Sequence, residues 1–302
     1  MNDEIVLQTH SIGKSYKKHM VLDDTNITVH RGDIYGFVGK NGAGKTTLIR
    51  ILSGLARQDR GEFTLLGVSG NDKAIHQVRR RVATMVESPA IYPELSATEN
   101  MKIQSMILQL PPNGIEECLE FVGLAECGKR KAKDFSLGMR QRLAIAMALL
   151  GNPELMLLDE PINGLDPEGI KAVRELLLKL NREKKVTILI SSHILTELSL
   201  FATKYGFIAN GKIVREVTRE EIFEATAERC SLETDHNELA LQLLKQMGYQ
   251  AKIKNEKVEV TTDVDLMKVC ETFQTNGIRL ERHIHAAMDL EEYFMKLLEG
   301  QI

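Results

Sequence analysis

The chain predicts an α/β fold in which a mostly parallel sheet is buried between helices, followed by a small α+β domain. Three observations predict it. The runs at 34–38, 155–158 and 186–190 are nearly continuous apolar stretches, as strands covered on both faces are. Strand-like and helix-like segments alternate from the start to about Glu216, the order that builds parallel sheets with crossover helices. After Thr218 the texture changes to strand, helix, two short strands, helix and strand.

In chain order, strands are expected at 5–9, 26–29, 34–38, 62–65, 82–86, 155–159, 186–191 and 204–209. Residues 212–216 pair back on the last of these, because Asn210-Gly211 is a strong two-residue hairpin signal. Helices are expected at 45–53, 98–110, 115–122, 136–150, 167–181 and 194–201. The fifth carries Ile170, Val173, Leu176, Leu177 and Leu180 on one face, a core stripe at helical spacing. Residues 101–133 read as helical without a strand, a helical insertion in the α/β domain. The second domain reads as strand 229–234, helix 237–247, a hairpin of 250–254 and 257–260 about Asn255-Glu256, helix 265–276 and strand 279–285. That βαββαβ order is ferredoxin-like, and a closing helix is expected at 290–298. The expected division is 1–218 and 219–302, with the helical insertion at about 96–150.

Bulk properties exclude several classes. The 302 residues suffice for one larger and one smaller domain. A net charge of -3 lacks the basic excess of nucleic-acid-binding domains, so no nucleic-acid partner is expected. There is no apolar run of roughly 18 residues to span a membrane. The N-terminus, with Asp3 and Glu4, lacks the order of a secretory signal. Cys118, Cys127, Cys230 and Cys270 have neither metal-ligand nor redox spacing and read as reduced, structural thiols of a cytosolic protein. His283 and His285 have no partner at ligand spacing and read as surface residues.

The chemistry lies in four short stretches. Gly39-Lys40-Asn41-Gly42-Ala43-Gly44-Lys45-Thr46 fits G-x-x-x-x-G-K-[ST], and Thr47 follows it. It lies between an expected buried strand and a helix marked by Leu48, Ile49, Ile51 and Leu52, the context that confirms a phosphate-binding loop. Glycines let backbone amides and the positive helix end surround an anion. Lys45 would reach the β- and γ-phosphates of a nucleoside triphosphate, and the Thr46 hydroxyl would ligate Mg²⁺.

The second stretch, Leu155-Met156-Leu157-Leu158-Asp159-Glu160, is an apolar strand ending in two carboxylates. At the C-terminal edge of an open sheet, Asp159 is suited to hold Mg²⁺ and Glu160 to orient and activate water. The third is the strand at 186–191, which delivers Ser192 and His193 to the same edge. There His193 could hydrogen-bond the γ-phosphate. The fourth is Phe135-Ser136-Leu137-Gly138-Met139, where Ser136 is a natural N-cap and, with Gly138, opens a second anion site at a helix start.

With these motifs in this order, the chain from about Ile5 to Glu216 resembles an ATP-binding-cassette (ABC) ATPase. Gly39–Thr46 corresponds to that family's Walker A motif and Leu155–Glu160 to Walker B with its catalytic glutamate. Phe135–Met139 corresponds to the signature LSGGQ, Gly164-Leu165-Asp166 to the D-loop, and His193 to the switch histidine. Tyr16 matches the aromatic residue that stacks on adenine. The resemblance implies a P-loop NTPase core with an antiparallel β subdomain and a helical insertion. It also places Asp166 at the nucleotide and makes ATP and Mg²⁺ the cofactors.

Two departures from the family pattern stand out. The signature keeps Ser136 and Gly138 but has Phe135, Leu137 and Met139 in place of Leu, Gly and Gln. Glu87 stands where most members have the Q-loop glutamine, and a carboxylate there would be a nucleotide-side Mg²⁺ ligand. Both departures, with Tyr92-Pro93-Glu94-Leu95, are similar to subunits of bacitracin-resistance and lantibiotic-immunity transporters. The resemblance implies a homodimer with two composite sites, each ATP lying between one copy's Walker A and the other's signature. It further implies a separate transmembrane permease, with this chain peripheral on the cytoplasmic face of the cell membrane. The alternative is a soluble, non-transport ABC ATPase, although such proteins usually carry two cassettes in one chain. A general P-loop kinase or GTPase would leave Ser136–Met139 and His193 without a purpose.

Overall fold

The computed structural model describes residues 4–86, 90–226, 229–254, 257–260, 264–286 and 290–298. They fall in two compact units, Met1–Arg219 and Glu220–Ile302. The first is organised on a six-stranded sheet in the order Lys212–Thr218, Lys204–Ala209, Ile34–Val38, Thr187–Ser192, Leu155–Asp159, Val82–Met85. Every neighbouring pair is parallel except the first, whose antiparallel hairpin turns through Asn210 and Gly211. Both turn residues have positive φ, 49° and 76°, as a tight turn matched to the twist of a hairpin requires.

Ile34–Val38, Leu155–Asp159 and Thr187–Ser192 are buried at every position. Their alternate residues feed opposite faces. Tyr35, Phe37, Leu155, Leu157 and Leu189 join one cluster with Leu48, Ile49, Ile51 and Leu52 of the helix Lys45–Ser53. Each such side chain contributes about 1.5–3 kcal/mol on burial. The strand-to-helix connection that forms the phosphate loop is therefore clamped by packing on both sides.

An antiparallel sheet completes this core, with His19–Thr25, Ile5–Tyr16, Arg60–Leu65 and Val68–Ser69 in sequence and Thr28–His30 also paired to Ile5–Tyr16. The first strand runs well past Thr9, bulging at Ser11, where φ is 50°. The helical part comprises Ala97–Ile107, Ile115–Phe121 and Leu137–Leu149. The first of these starts in a reciprocal capping box: Glu99 N donates to Ser96 Oγ at 3.2 Å and Ser96 N donates to Glu99 Oε2 at 2.7 Å. The helix Pro167–Lys184 is capped by Asp166 and buries Val173, Leu176, Leu177 and Leu180, with Ile170 only half-buried.

The second unit is a four-stranded antiparallel sheet in the order Ala251–Lys254, Lys257–Val260, Arg229–Thr234, Leu280–Ala286. With the helices Asn237–Gln246 and Leu266–Thr275 it forms a ferredoxin-like βαββαβ arrangement. Its core consists of Cys230, Leu232, Val258 and Val260 from strands and Ala240, Leu244, Val269 and Phe273 from helices. His283 is exposed. The turn Asn255-Glu256 lies outside the described residues. Among the described residues no helix is long and apolar enough to cross a membrane.

Candidate active site

The loop after Ile34–Val38 is glycine-rich because two of its positions leave no room for a side chain. A Cβ at Gly39 would lie 2.5 Å from Ile208 O, and one at Gly44 would lie 2.6 Å from Leu22 Cδ2 and 2.8 Å from Val21 O. Gly44 also sits at φ +112°, and Gly42 at φ +82° in open space. Ala43 is buried and closes a turn, its N donating to Lys40 O at 3.1 Å, while Asn41 is exposed. Ala43 O accepts from Gly211 N at 3.2 Å. The Asn210-Gly211 hairpin thus braces the loop from behind.

Gly44 caps the helix Lys45–Ser53 without any side-chain hydrogen bond, and its first turn holds no acidic residue. That helix start keeps its partial positive charge for an external anion. Thr46 is half-buried on this turn and Thr47 is buried. Lys45 is 5% exposed, and its Nζ donates to Gly39 O at 2.6 Å and Lys40 O at 3.3 Å.

The neighbouring strands bring the acids to this loop. Leu155, Leu157 and Asp159 alternate onto the sheet side that packs against the phosphate-loop helix, so the buried Asp159 carboxylate takes the next place in an apolar stripe. It accepts a 2.6 Å bond from Ser191 Oγ. Glu160 follows in a left-handed backbone conformation, φ 48°, and its N donates to both Ser191 O (3.2 Å) and Ser191 Oγ (3.0 Å). Its two carboxylate oxygens face different partners. Oε2 lies 2.9 Å from His193 Nδ1, and Oε1 lies 3.2 Å from Lys45 Nζ. The Lys45 contact has ion-pair distance without hydrogen-bond geometry, so Oε1 is buried with no hydrogen-bond partner. Such an atom is poised to accept a proton or a donor from a ligand. Gly39 N donates to Ser192 O at 3.3 Å, so the strand that holds Glu160 also holds the loop.

Other expected site residues have their contacts elsewhere. Ser136 is exposed and caps Leu137–Leu149, its Oγ accepting from Met139 N at 3.2 Å. A Cβ on Gly138 would meet nothing nearer than Gly169 Cα at 3.5 Å. The exposed Asp166 uses Oδ1 to accept from Gly169 N at 2.9 Å as a helix cap. Tyr16 ends the first strand opposite His19, 44% exposed, with Lys14 Nζ 5.5 Å from its ring centre. Glu87 lies outside the described residues. Ser191 and Gly211 are the contributors that motif reading missed, since neither belongs to a phosphate or carboxylate pattern.

The donor set fits a small hard cation beside a triphosphate. Thr46 offers a half-buried hydroxyl and Asp159 a buried carboxylate with one oxygen not held by Ser191. Mg²⁺ takes one or two protein oxygens and completes its shell with phosphate and water, a demand that Thr46 and Asp159 could meet.

Such a loop, with its lysine against a glutamate borne by the adjacent sheet edge, defines the class of P-loop nucleoside triphosphatases. The pattern of the ABC transporter family matches residues 22–163. The chain is 38% identical over 301 residues to the bacitracin transport ATP-binding protein BcrA of Bacillus licheniformis, covering 98% of each chain. It is 40% identical over 211 residues to the lantibiotic transport ATP-binding protein SrtF of Streptococcus pyogenes, covering 70% of this chain and 90% of that one. Among solved structures it is similar to the dimeric, post-hydrolysis ATP-binding cassette MJ0796 bound to ADP and Pi. The TM-score is 0.63 at 26% identity, over 70% of this chain and 98% of the other. The chain belongs to the ABC transporter family, as its ATP-binding, ATP-hydrolysing subunit.

Proposed function

We propose that this chain hydrolyses Mg·ATP in composite sites of a homodimer and so drives a separate transmembrane permease. The cargo of that permease is an antimicrobial peptide or a related compound, which it exports or confers resistance to. The subunit sits peripherally on the cytoplasmic face of the cell membrane. The observation that carries the reading is a division within the site. Lys45, Glu160 and His193 form one connected group behind the phosphate loop, whereas the exposed Ser136 and half-buried Gly138 open a helix with contacts elsewhere. A second copy placed head to tail supplies that helix start to each loop. The names of BcrA and SrtF, with BcrA aligned over nearly the whole chain, support the peptide-antibiotic class.

In each site Lys45 and the loop amides hold the β- and γ-phosphates, and Thr46 and Asp159, with Glu87, hold the metal side. Bound Mg²⁺ supplies charge neutralisation at the phosphate oxygens. Glu160 Oε1 takes the proton of the attacking water while His193 fixes Oε2 and the γ-phosphate side. Tyr16 stacks on adenine, and Asp166 carries the state of one site to the facing copy. Closure and reopening reach the permease through the segment 87–94 and the helical insertion. Lys133 holds the carboxyl of Glu94, in that segment, below the ordinary range through a 2.9 Å hydrogen bond.

Mixing two defective variants tests the composite site. Lys45→Ala removes the phosphate ligand. At Gly138 a Cβ would make only ordinary contact, 3.5 Å from Gly169 Cα, and an acid suits the first helical turn, so Gly138→Asp should fold while repelling phosphate. Each alone should be inactive, while a mixture should regain a fraction of wild-type ATPase, because one of the two sites in the mixed dimer is intact. A mixture as inactive as its components would sink the composite-site reading.

A further inference from the structure

Ser191 occupies the end of Thr187–Ser192, fully buried and in register with Asp159 on one neighbouring strand and Phe37 on the other. Apart from Asp159, the residues around it on that face, Phe37 and Leu189, are apolar, so an unbonded hydroxyl there would be costly. What sets Ser191 apart is the identity of its partners. Its hydroxyl donates to Asp159 Oδ1 at 2.6 Å and accepts from Glu160 N at 3.0 Å, and its carbonyl accepts from the same amide at 3.2 Å. The amide can only donate, so it takes a lone pair of the hydroxyl, and the single hydroxyl proton goes to the carboxylate. The bond to Asp159 is charge-assisted and short.

Two consequences follow for the acids. Asp159 Oδ1 is engaged, which fixes the carboxylate rotamer and leaves Oδ2 as the oxygen not held by Ser191. Glu160, a residue with a Cβ, is kept at φ 48°, a conformation that persists only where surrounding bonds over-determine it. In that turn the Glu160 side chain lies between Lys45 Nζ and His193 Nδ1. The next residue, Ser192, accepts from Gly39 N, so two consecutive residues of one strand set the spacing between the acids and the phosphate loop.

We infer that Ser191 is a positioning residue of the ATPase site: its single hydroxyl orients the Asp159 carboxylate and locks the Glu160 backbone in its left-handed turn. The inference rests on the reading of Asp159 as the metal-side acid and Glu160 as the water-activating one. Its test compares Ser191→Ala, Ser191→Thr and Glu160→Gln in the full-length chain. The measurements are the unfolding midpoint, the affinity for a fluorescent non-hydrolysable ATP analogue in EDTA and in Mg²⁺, and kcat with its Mg²⁺ dependence.

Ser191→Ala should bind the analogue like wild type in EDTA, need several-fold more Mg²⁺ for half-maximal rate, and lose on the order of ten-fold in kcat. Ser191→Thr, which keeps the hydroxyl, should recover most of both. Wild-type kcat and Mg²⁺ dependence in Ser191→Ala overturn the inference. So does an equal loss of analogue affinity with and without Mg²⁺, accompanied by a lowered unfolding midpoint that Ser191→Thr shares, since that is a packing defect. A silent Ser191→Ala beside an inactive Glu160→Gln sinks only the role of Ser191. A Glu160→Gln as active as wild type sinks the reading beneath it as well.

Discussion

Lys45 Nζ and Glu160 Oε1 stand 3.2 Å apart, joining the first turn of the phosphate-loop helix to the residue that follows the Leu155–Asp159 strand. Both side chains are largely withdrawn from solvent, at 5% and 19% exposure, where opposite charges attract more strongly than in water. The pair still leaves Oε1 without a hydrogen bond. A phosphate drawn to Lys45 would compete for the same ammonium and leave Oε1 to accept a proton. On the proposed reading of Glu160 as the base, phosphate binding and base activation would be coupled through this one ion pair.

Glu160→Gln keeps the shape of that contact and removes the proton acceptor. General-base catalysis is worth about 10²–10⁴ in rate, so hydrolysis should fall by at least the lower figure while ATP affinity stays near wild type. Steady-state phosphate release beside equilibrium analogue binding checks it. Loss of binding in step with loss of turnover would assign Glu160 to holding nucleotide rather than to activating water.

Gly44 and Gly42 both have positive φ, but only Gly44 is crowded. At Gly42 alanine meets nothing within 4 Å, so it should cost only the left-handed backbone penalty of roughly 1–2 kcal/mol. At Gly44 the same penalty is joined by collisions with Leu22 and Val21 O, for a total of about 2–5 kcal/mol and a displaced loop. Urea unfolding of the two variants should separate them clearly, and nucleotide binding should vanish only for Gly44→Ala. Equal destabilisation would mean that the Leu22 wall yields.

Tyr35 is fully buried and its hydroxyl donates to Glu216 Oε1 at 2.8 Å. Burial pushes its phenol well above the ordinary 10.0, and the Glu216 charge pushes it further. The folded chain then keeps the proton at pH values where the unfolded chain has released it. Stability from this group is complete below about pH 10 and is lost as pH rises above it. Tyr35→Phe should flatten the alkaline limb of the stability curve relative to wild type, measured by urea unfolding between pH 8 and 11. Parallel curves for the two proteins would exclude Tyr35 as its source.

Local spacing made the phosphate loop, the paired acids and the helix caps legible in the sequence. Gly39 through Thr46, Asp159-Glu160 and Ser136 each announce themselves within a few residues. The strand His19–Thr25 was not legible, because its hairpin turns at Lys17, φ 58°, with no glycine or asparagine to mark it. The extension of the first strand to Tyr16 was hidden for a related reason. It passes the bulge at Ser11 and then Gly13, where a Cβ would strike Arg60 at 2.4 Å, a contact made by a residue on another strand. The helix Arg219–Thr226 buries only Ile222, too little to print a stripe. Within the site, the bond from Glu160 N to Ser191 spans 31 positions. Gly211 reaches Ala43 from the far side of the sheet sequence. Such contacts follow from strand order, which single-sequence periodicity does not encode.

Phe273 is buried completely in the core of the second unit, among Cys230, Leu232, Val258 and Val260 on the sheet side and Ala240, Leu244 and Val269 on the helix side. None of these residues belongs to the cluster around the phosphate-loop helix. Phe273→Ala removes an aromatic ring and leaves a cavity, a loss of about 3–5 kcal/mol. For a domain of this size that lowers the unfolding midpoint by roughly 10 °C or more. The first unit keeps its own core, so the variant should show an early transition for Glu220–Ile302 while analogue affinity at the phosphate loop stays within about two-fold of wild type. Calorimetry paired with analogue binding at a temperature between the two transitions checks both halves. A single shifted transition, with affinity lost at the same temperature, would mean that the nucleotide site depends on the second unit for its stability.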